Sequence, residues 1–112
     1  MYRDALENFA GSSSGVQGVI FMDSEGEAID QVGSVEAYDL KVIGAHFSIF
    51  FNAMNGFDQQ PGSLIVSMEP YELAMYRLTK EYFLLVLYRT PYHVLINKFR
   101  VQDLIAFIKK SL

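Results

Sequence analysis

The chain is 112 residues long, 51% hydrophobic and 14% aromatic, with 9 Phe and 7 Tyr. That length holds a single domain, residues 1–112, and that composition excludes disorder, while supplying more apolar material than so small a domain buries alone. The net charge of −4 without a basic cluster excludes nucleic acid as a partner, and the lack of cysteine excludes disulfides, thiolate catalysis and Cys-ligated metals.

Tyr2, Ala5, Leu6, Phe9 and Ala10 recur at helical spacing, with Gly11 as the expected stop. Ser12-Ser13-Ser14-Gly15 is too small and polar to be anything but a connector. Val16 to Asp23 reads as a strand, and its Val19-Ile20-Phe21-Met22 run is too continuously apolar for an edge, so it belongs at the centre of a sheet. Asp23-Ser24-Glu25-Gly26 is a turn with Gly26 at a positive φ, and Glu27 to Val32 returns as the second strand of a hairpin.

Ser34 is the expected N-cap of a long helix, with Asp39 favourable to its dipole. Leu40, Ile43, Phe47, Phe50, Phe51 and Met54 cluster on one broad face, bulky enough to cover a sheet. Val42, Ala45, Ile49, Ala53 and Gly56 fall on the opposite face at spacings of 3, 4, 4 and 3, a narrower stripe that lets another helix approach closely. Lys41, Ser48, Asn52 and Asn55 fill the flank between them. A helix of a small soluble domain ordinarily buries one stripe. Two stripes need two surfaces, and one domain supplies one core, so the second stripe points to a partner.

Asp58 to Gly62 ends the helix, and three strands follow: Ser63 to Met68, Glu72 to Leu78 and Tyr82 to Arg89. Thr79-Lys80-Glu81 makes the tight turn between the last two, and Phe83 to Leu87 is apolar enough for a second central strand. Ser63 to Met68 is the expected edge, whose Leu64-Ile65-Val66 run is a hazard unless paired, as the same strand of a second copy would do. A last helix carries Val101, Leu104, Ile105, Ile108 and Leu112 on one stripe, its start left open between Pro91 and Phe99. The order α-β-β-α-β-β-β-α predicts an α/β (α+β) sandwich, a five-stranded antiparallel sheet with helices on both faces.

No constellation of catalytic residues emerges. His46 and His93 are far apart in sequence and lack HxH or HExxH spacing, so neither is expected to hold a metal. Asp23 and Glu25 sit in a turn, where Asp bonds its own backbone. Gly11-Ser12-Ser13-Ser14-Gly15 lacks the lysine of a phosphate loop and precedes a strand, so no nucleotide is expected. Tyr71, Tyr76, Tyr82 and Tyr88 have too little flanking positive charge for base stacking and read as sheet residues. The expectation is a non-enzyme without cofactor or metal. Residues 1–39 carry eight acids against Arg3 alone, while five of the nine bases lie from Arg89 onward, a layout that can steer a complementary protein. An acidic first decade argues against a signal peptide, and the uncharged run Val42 to Phe57 is too short and polar to span a bilayer. A cytoplasmic protein without membrane insertion is expected.

The segment Gly15-Val16-Gln17-Gly18-Val19-Ile20-Phe21-Met22-Asp23-Ser24-Glu25-Gly26 resembles the first hairpin of the roadblock / dynein light chain family. There a Gly-Val-x-Gly strand runs into an acidic residue and a turn glycine. Leu73-Ala74-Met75-Tyr76-Arg77-Leu78 followed by Tyr82-Phe83-Leu84-Leu85-Val86-Leu87 is similar to that family's second hairpin, and the element order matches over essentially the whole chain. The resemblance implies a homodimer in which central helices pack together and third strands pair. It also implies a non-catalytic scaffold or regulator of a Ras-like small GTPase, docked on the two-helix platform. On that basis Val42, Ala45, Ile49 and Ala53, with Leu64 and Val66, are the dimer candidates, and Lys41, Ser48, Asn52 and Asn55 the partner-facing ones. The few arginines include no obvious finger, so any stimulation of GTP hydrolysis would come from ordering the GTPase's own residues. Longin and profilin-like domains share parts of this architecture and imply an alternative, a monomeric trafficking or motor-complex adaptor without GTPase regulation. A sensor or enzyme would instead need a pocket under the central helix, lined by Phe47, Phe50 and Phe51.

Overall fold

A computed structural model describes residues 2–34, 36–53, 62–68, 70–89 and 93–112. Helix α1 (Arg3–Ser12) leads into strands β1 (Val16–Asp23) and β2 (Ala28–Gly33), then the long helix α2 (Ala37–Ala53). Strands β3 (Ser63–Met68), β4 (Tyr71–Arg77) and β5 (Tyr82–Arg89) follow, and the chain closes with a short helix α3 (His93–Ile96) and α4 (Lys98–Lys109). The strands form one antiparallel sheet in the order β2-β1-β5-β4-β3. The two runs of continuous hydrophobics, β1 and β5, lie side by side at its centre, with Val19 opposite Val86 and Ile20 opposite Leu85.

Alternation along these strands divides the core in two. Val19, Phe21, Leu84, Val86 and Tyr88 face the layer of α1 and α4, where they meet Leu6, Phe9, Val101, Leu104 and Ile108. Ile20, Met22, Leu73, Met75, Phe83, Leu85 and Leu87 face the other way and meet Leu40 and Phe51 of α2. The expected sandwich is present.

Several local expectations shift. Helix α1 runs past Gly11, and Ser12 closes it by donating its hydroxyl to the Asn8 carbonyl at 2.7 Å. Ser34 is not the N-cap of α2: its N–H donates to the Gln17 carbonyl at 3.0 Å, which prolongs the β1–β2 pairing, and the helix begins at Ala37. The final helix is interrupted at Asn97, whose side chain is buried against the connector. Its Nδ2 donates to the Ser14 carbonyl at 2.7 Å and its Oδ1 accepts the Ser14 N–H at 3.1 Å. An amide side chain reproduces both halves of a backbone pairing, so Asn97 stitches the start of α4 to the end of α1.

Candidate interaction surface

The close approach of α2 to the sheet depends on glycines. A Cβ on Gly44 would lie 2.9 Å from Ile20 Cδ1, and one on Gly18 would lie 2.8 Å from Leu40 Cδ1. At the far end Phe51 stacks on Phe83 with ring centroids 5.2 Å apart, and the Arg77 guanidinium sits 4.8 and 4.9 Å from the two centroids. The inner stripe is therefore Leu40, Gly44, Ser48 and Phe51, all buried, with Ile43 and Phe47 half-buried beside them.

The outer face is apolar and uncovered. Val42 is 49% exposed, Ile49 70% and Phe50 52%, and Ala45 and Ala53 are exposed with them. Phe50 corrects the sequence reading, which set it against the sheet; it belongs to the outward surface because the inner stripe is completed by Gly44 and Ser48 instead. Two shallow grooves flank Val42. One of about 290 Å³ is lined by Gly26, Glu27, Ala28, Lys41, Val42 and Ala45. The other, about 350 Å³, is lined by Asp39, Val42, Ile43, Tyr71 and Leu87.

The four expected dimer residues of the helix, Val42, Ala45, Ile49 and Ala53, are thus gathered on one accessible face. β3 is an edge strand, pairing with β4 from Ser63↔Tyr76 to Met68↔Tyr71, and among the described residues no strand pairs with its outer side. Leu64 and Val66 are half-buried, with Leu64 packed on the α2 side of the core. Ile65 points to the opposite face and is 53% exposed.

The expected partner-facing set divides. Lys41 is exposed. Ser48 is 1% exposed and cannot face a partner; its hydroxyl donates to the Ala45 carbonyl at 2.8 Å. It is covered because α2 crosses the β1–β2 turn there: a Cβ on Gly26, at φ +90°, would lie 2.6 Å from Ser48 Oγ. Asn52 is half-buried, and its Nδ2 donates to the Ser24 carbonyl of the same turn. Both side chains seat the hairpin on the helix. Asn55 lies outside the described residues, as do Met54 and Gly56.

The turn itself is organised as expected, with Asp23 Oδ1 accepting the N–H groups of Glu25 at 2.9 Å and Glu27 at 3.0 Å. His46 is exposed on α2, its ring edge-on to Phe47 at 5.8 Å. Among the described residues no three His, Cys, Asp or Glu side chains gather as a metal site would require. Tyr88 is fully buried, and burial together with the charge of Glu72 pushes the Tyr76 hydroxyl up to about 12, so these rings are packing groups. Phe50 is turned outward and Phe51 is packed beneath Arg77, so the three phenylalanines do not line a common pocket. Among the described residues no helix is long and apolar enough to cross a membrane.

No protein-family model matches the chain, and no curated protein matches its sequence. Solved structures do match it over almost its full length. Myxococcus xanthus MglB superposes with a TM-score of 0.85 at 13% identity, covering 98% of this chain and 93% of that one. A structure of MglB with a tetrameric arrangement gives a TM-score of 0.82 at 9% identity, covering 97% and 85%. A roadblock/LC7 domain from Streptomyces avermitilis gives 0.81 at 11% identity, covering 96% and 93%. The chain has the roadblock/LC7 fold.

Proposed function

We propose that this protein is a non-catalytic, cytoplasmic homodimer that serves as a scaffold or regulator for a Ras-like small GTPase. The observation that carries the reading is the outer face of α2, where Val42, Ile49 and Phe50 stand about half-exposed or more in a chain that has already filled both sides of its sheet. A second copy packed about a two-fold axis would cover that stripe with its own, and the unpaired edge of β3 would continue into the partner's sheet. The roadblock/LC7 fold supports the same arrangement, since the family resemblance implies paired central helices and paired third strands, and one MglB structure carries a tetrameric arrangement.

In the dimer the two α2 helices form a platform flanked by Lys41 and the acids of the β1–β2 turn, and this platform docks the GTPase. Regulation acts by ordering the GTPase's own catalytic groups. The test has two stages. Sedimentation equilibrium at micromolar concentration is expected to give twice the chain mass, and a monomer overturns the dimer. Titration against the Ras-like GTPases of the same genome, each loaded with GDP or a non-hydrolysable GTP analogue, is expected to find one that binds in a nucleotide-dependent way. A dimer that binds none of them overturns the GTPase role, whereas a monomer favours the adaptor reading.

A further inference from the structure

The opposite layer carries a surface that the dimer does not use. Leu95 and Phe99 are each 75% exposed, Ile96 is 64% exposed and Phe107 54%. These side chains project from α3 and α4, since α4 spends Val101, Leu104 and Ile108 on the sheet and none of the described residues covers its outer half. Interleaved with them are Lys98, Arg100, Lys109 and Lys110, all exposed, against one acid, Asp103, between residues 93 and 112. A charged surface alone is a solvated face. Four large hydrophobics standing out among four cations is a different composition, that of a helix lying in a membrane interface.

We propose that α3 and α4 adsorb the protein peripherally to an anionic lipid bilayer, with the basic side chains at the headgroups and Leu95, Ile96, Phe99 and Phe107 reaching the headgroup–acyl boundary without crossing it. Charge complementarity selects this occupant. Four acids stand on the other side of the sheet: Glu36 precedes α2 and Asp39 lies in its first turn, and Glu25 and Glu27 flank Gly26, the residue packed against Ala45 and Ser48. On the α4 side Glu72 is half-buried beneath α3, accepting the Val94 N–H at 3.3 Å. On α1, which shares the α4 layer, Arg3 lies 3.9 Å from Glu7 and 3.1 Å from Asp30, one cation against two acids, so with Asp4 this flank is acidic and the basic surface is confined to α3 and α4. The outward side of α3 and α4 is therefore a local basic patch on a chain of net charge −4, and a negative surface would turn that patch toward itself. Shape agrees with charge. A protein partner receives projecting side chains in a matched concavity, whereas a bilayer accepts them in any arrangement. Adsorption in this orientation leaves the α2 face pointing away from the membrane and free for docking.

Vesicle co-sedimentation tests the proposal. The probes are phosphatidylcholine vesicles containing about 30% phosphatidylserine and vesicles of phosphatidylcholine alone. The full chain is expected to pellet with the anionic vesicles at low salt, to be released as screening rises, and to stay in solution with the neutral ones. A Lys98→Ala/Arg100→Ala chain is expected to partition roughly twenty- to thirtyfold more weakly, and a Leu95→Ser/Phe99→Ser chain roughly several hundredfold more weakly. Because these side chains are exposed, circular dichroism of both variants should match the parent. Ile49→Asp, on the other side of the sheet, should remain vesicle-bound whether or not it dimerises, which separates this proposal from the dimer. A parent chain that ignores anionic vesicles at low salt overturns it, as do variants that bind undiminished. Either result would return the patch to a protein segment lying in the adjoining groove of about 490 Å³ between β3 and α4, lined by Ile65, Tyr76 and Leu95 among others.

Discussion

Replacing Ile49 with Asp should separate the two copies while leaving each one folded. Ile49 is 70% exposed in the single chain. Fully burying such a side chain stabilises by about 1.5–3 kcal/mol, so covering the exposed part contributes about 2 kcal/mol per copy. A two-fold interface contains the residue twice, giving about 4 kcal/mol, or roughly a thousandfold in dissociation constant. Asp adds to this, because an unpaired carboxylate in an apolar contact is costly in its own right. The isolated chain, by contrast, should change by no more than about 0.5 kcal/mol, as expected for a surface position. Two measurements are needed. Sedimentation equilibrium across a wide concentration range should show the parent as a dimer and the variant as a monomer. Urea unfolding should show a midpoint that rises with protein concentration for the parent and is independent of it for the variant. Ala45→Glu, exposed on the same stripe, should behave alike. A variant that keeps the parent's mass would move the interface off this stripe, and one that unfolds would mean the stripe is covered within the chain.

Other substitutions probe the supports of that surface. Gly26→Ala places a side chain at φ +90° and 3.1 Å from the Ala45 backbone, and should destabilise the fold by about 2–3 kcal/mol in chemical denaturation. Phe51→Ala removes a fully buried ring together with its stack on Phe83 and its contact with Arg77, and should cost about 3–5 kcal/mol by the same measurement. Asp23→Ala leaves the N–H groups of Glu25 and Glu27 without their acceptor and should cost about 1 kcal/mol, less than a buried loss because the turn is exposed to water. For partner binding, Lys41→Glu should slow association and change its salt dependence, whereas Ser48→Ala should leave the association rate unaltered because that hydroxyl is buried and bonded to Ala45. Surface plasmon resonance against the bound GTPase distinguishes the two.

Much of this molecule is legible in the chain because its strands are strongly patterned. The runs Val19 to Met22 and Phe83 to Leu87 have no polar side on which to face water, and they pair at the centre of the sheet with both faces covered. β3 also takes the edge position expected of it, its short Leu64-Ile65-Val66 run flanked by Ser63 and Ser67. Side chains that act through shape or through a single distant bond were not legible. Asn97 joins residues 83 positions apart, and nothing in its neighbours announces the pairing with Ser14. Ser34 has the character of a cap, but the β1–β2 ladder claims its N–H first.

Helix α2 shows most clearly where residue character misleads. Periodicity correctly gives two apolar stripes, and size then suggests that the smaller residues face a partner while the aromatics face the sheet. Geometry reverses part of this. Gly44 and Ser48 are small because the helix lies directly on Ile20, Met22 and the Gly26 turn, where a Cβ at Gly44 already meets Ile20 at 2.9 Å. Phe50 is large and stays outside because one residue along the helix turns it about 100° from Phe51, beyond the half-buried Phe47 that still packs on the sheet. The outward stripe is consequently richer than the sequence reading made it, with Phe50 and Ile49 adjoining Val42 and the two alanines. A face that joins one large aromatic and two branched aliphatics to flat alanine ground has both an anchor and a bed for one. That is the composition of a helix meant to be packed against, and it is why the dimer stands or falls on Ile49.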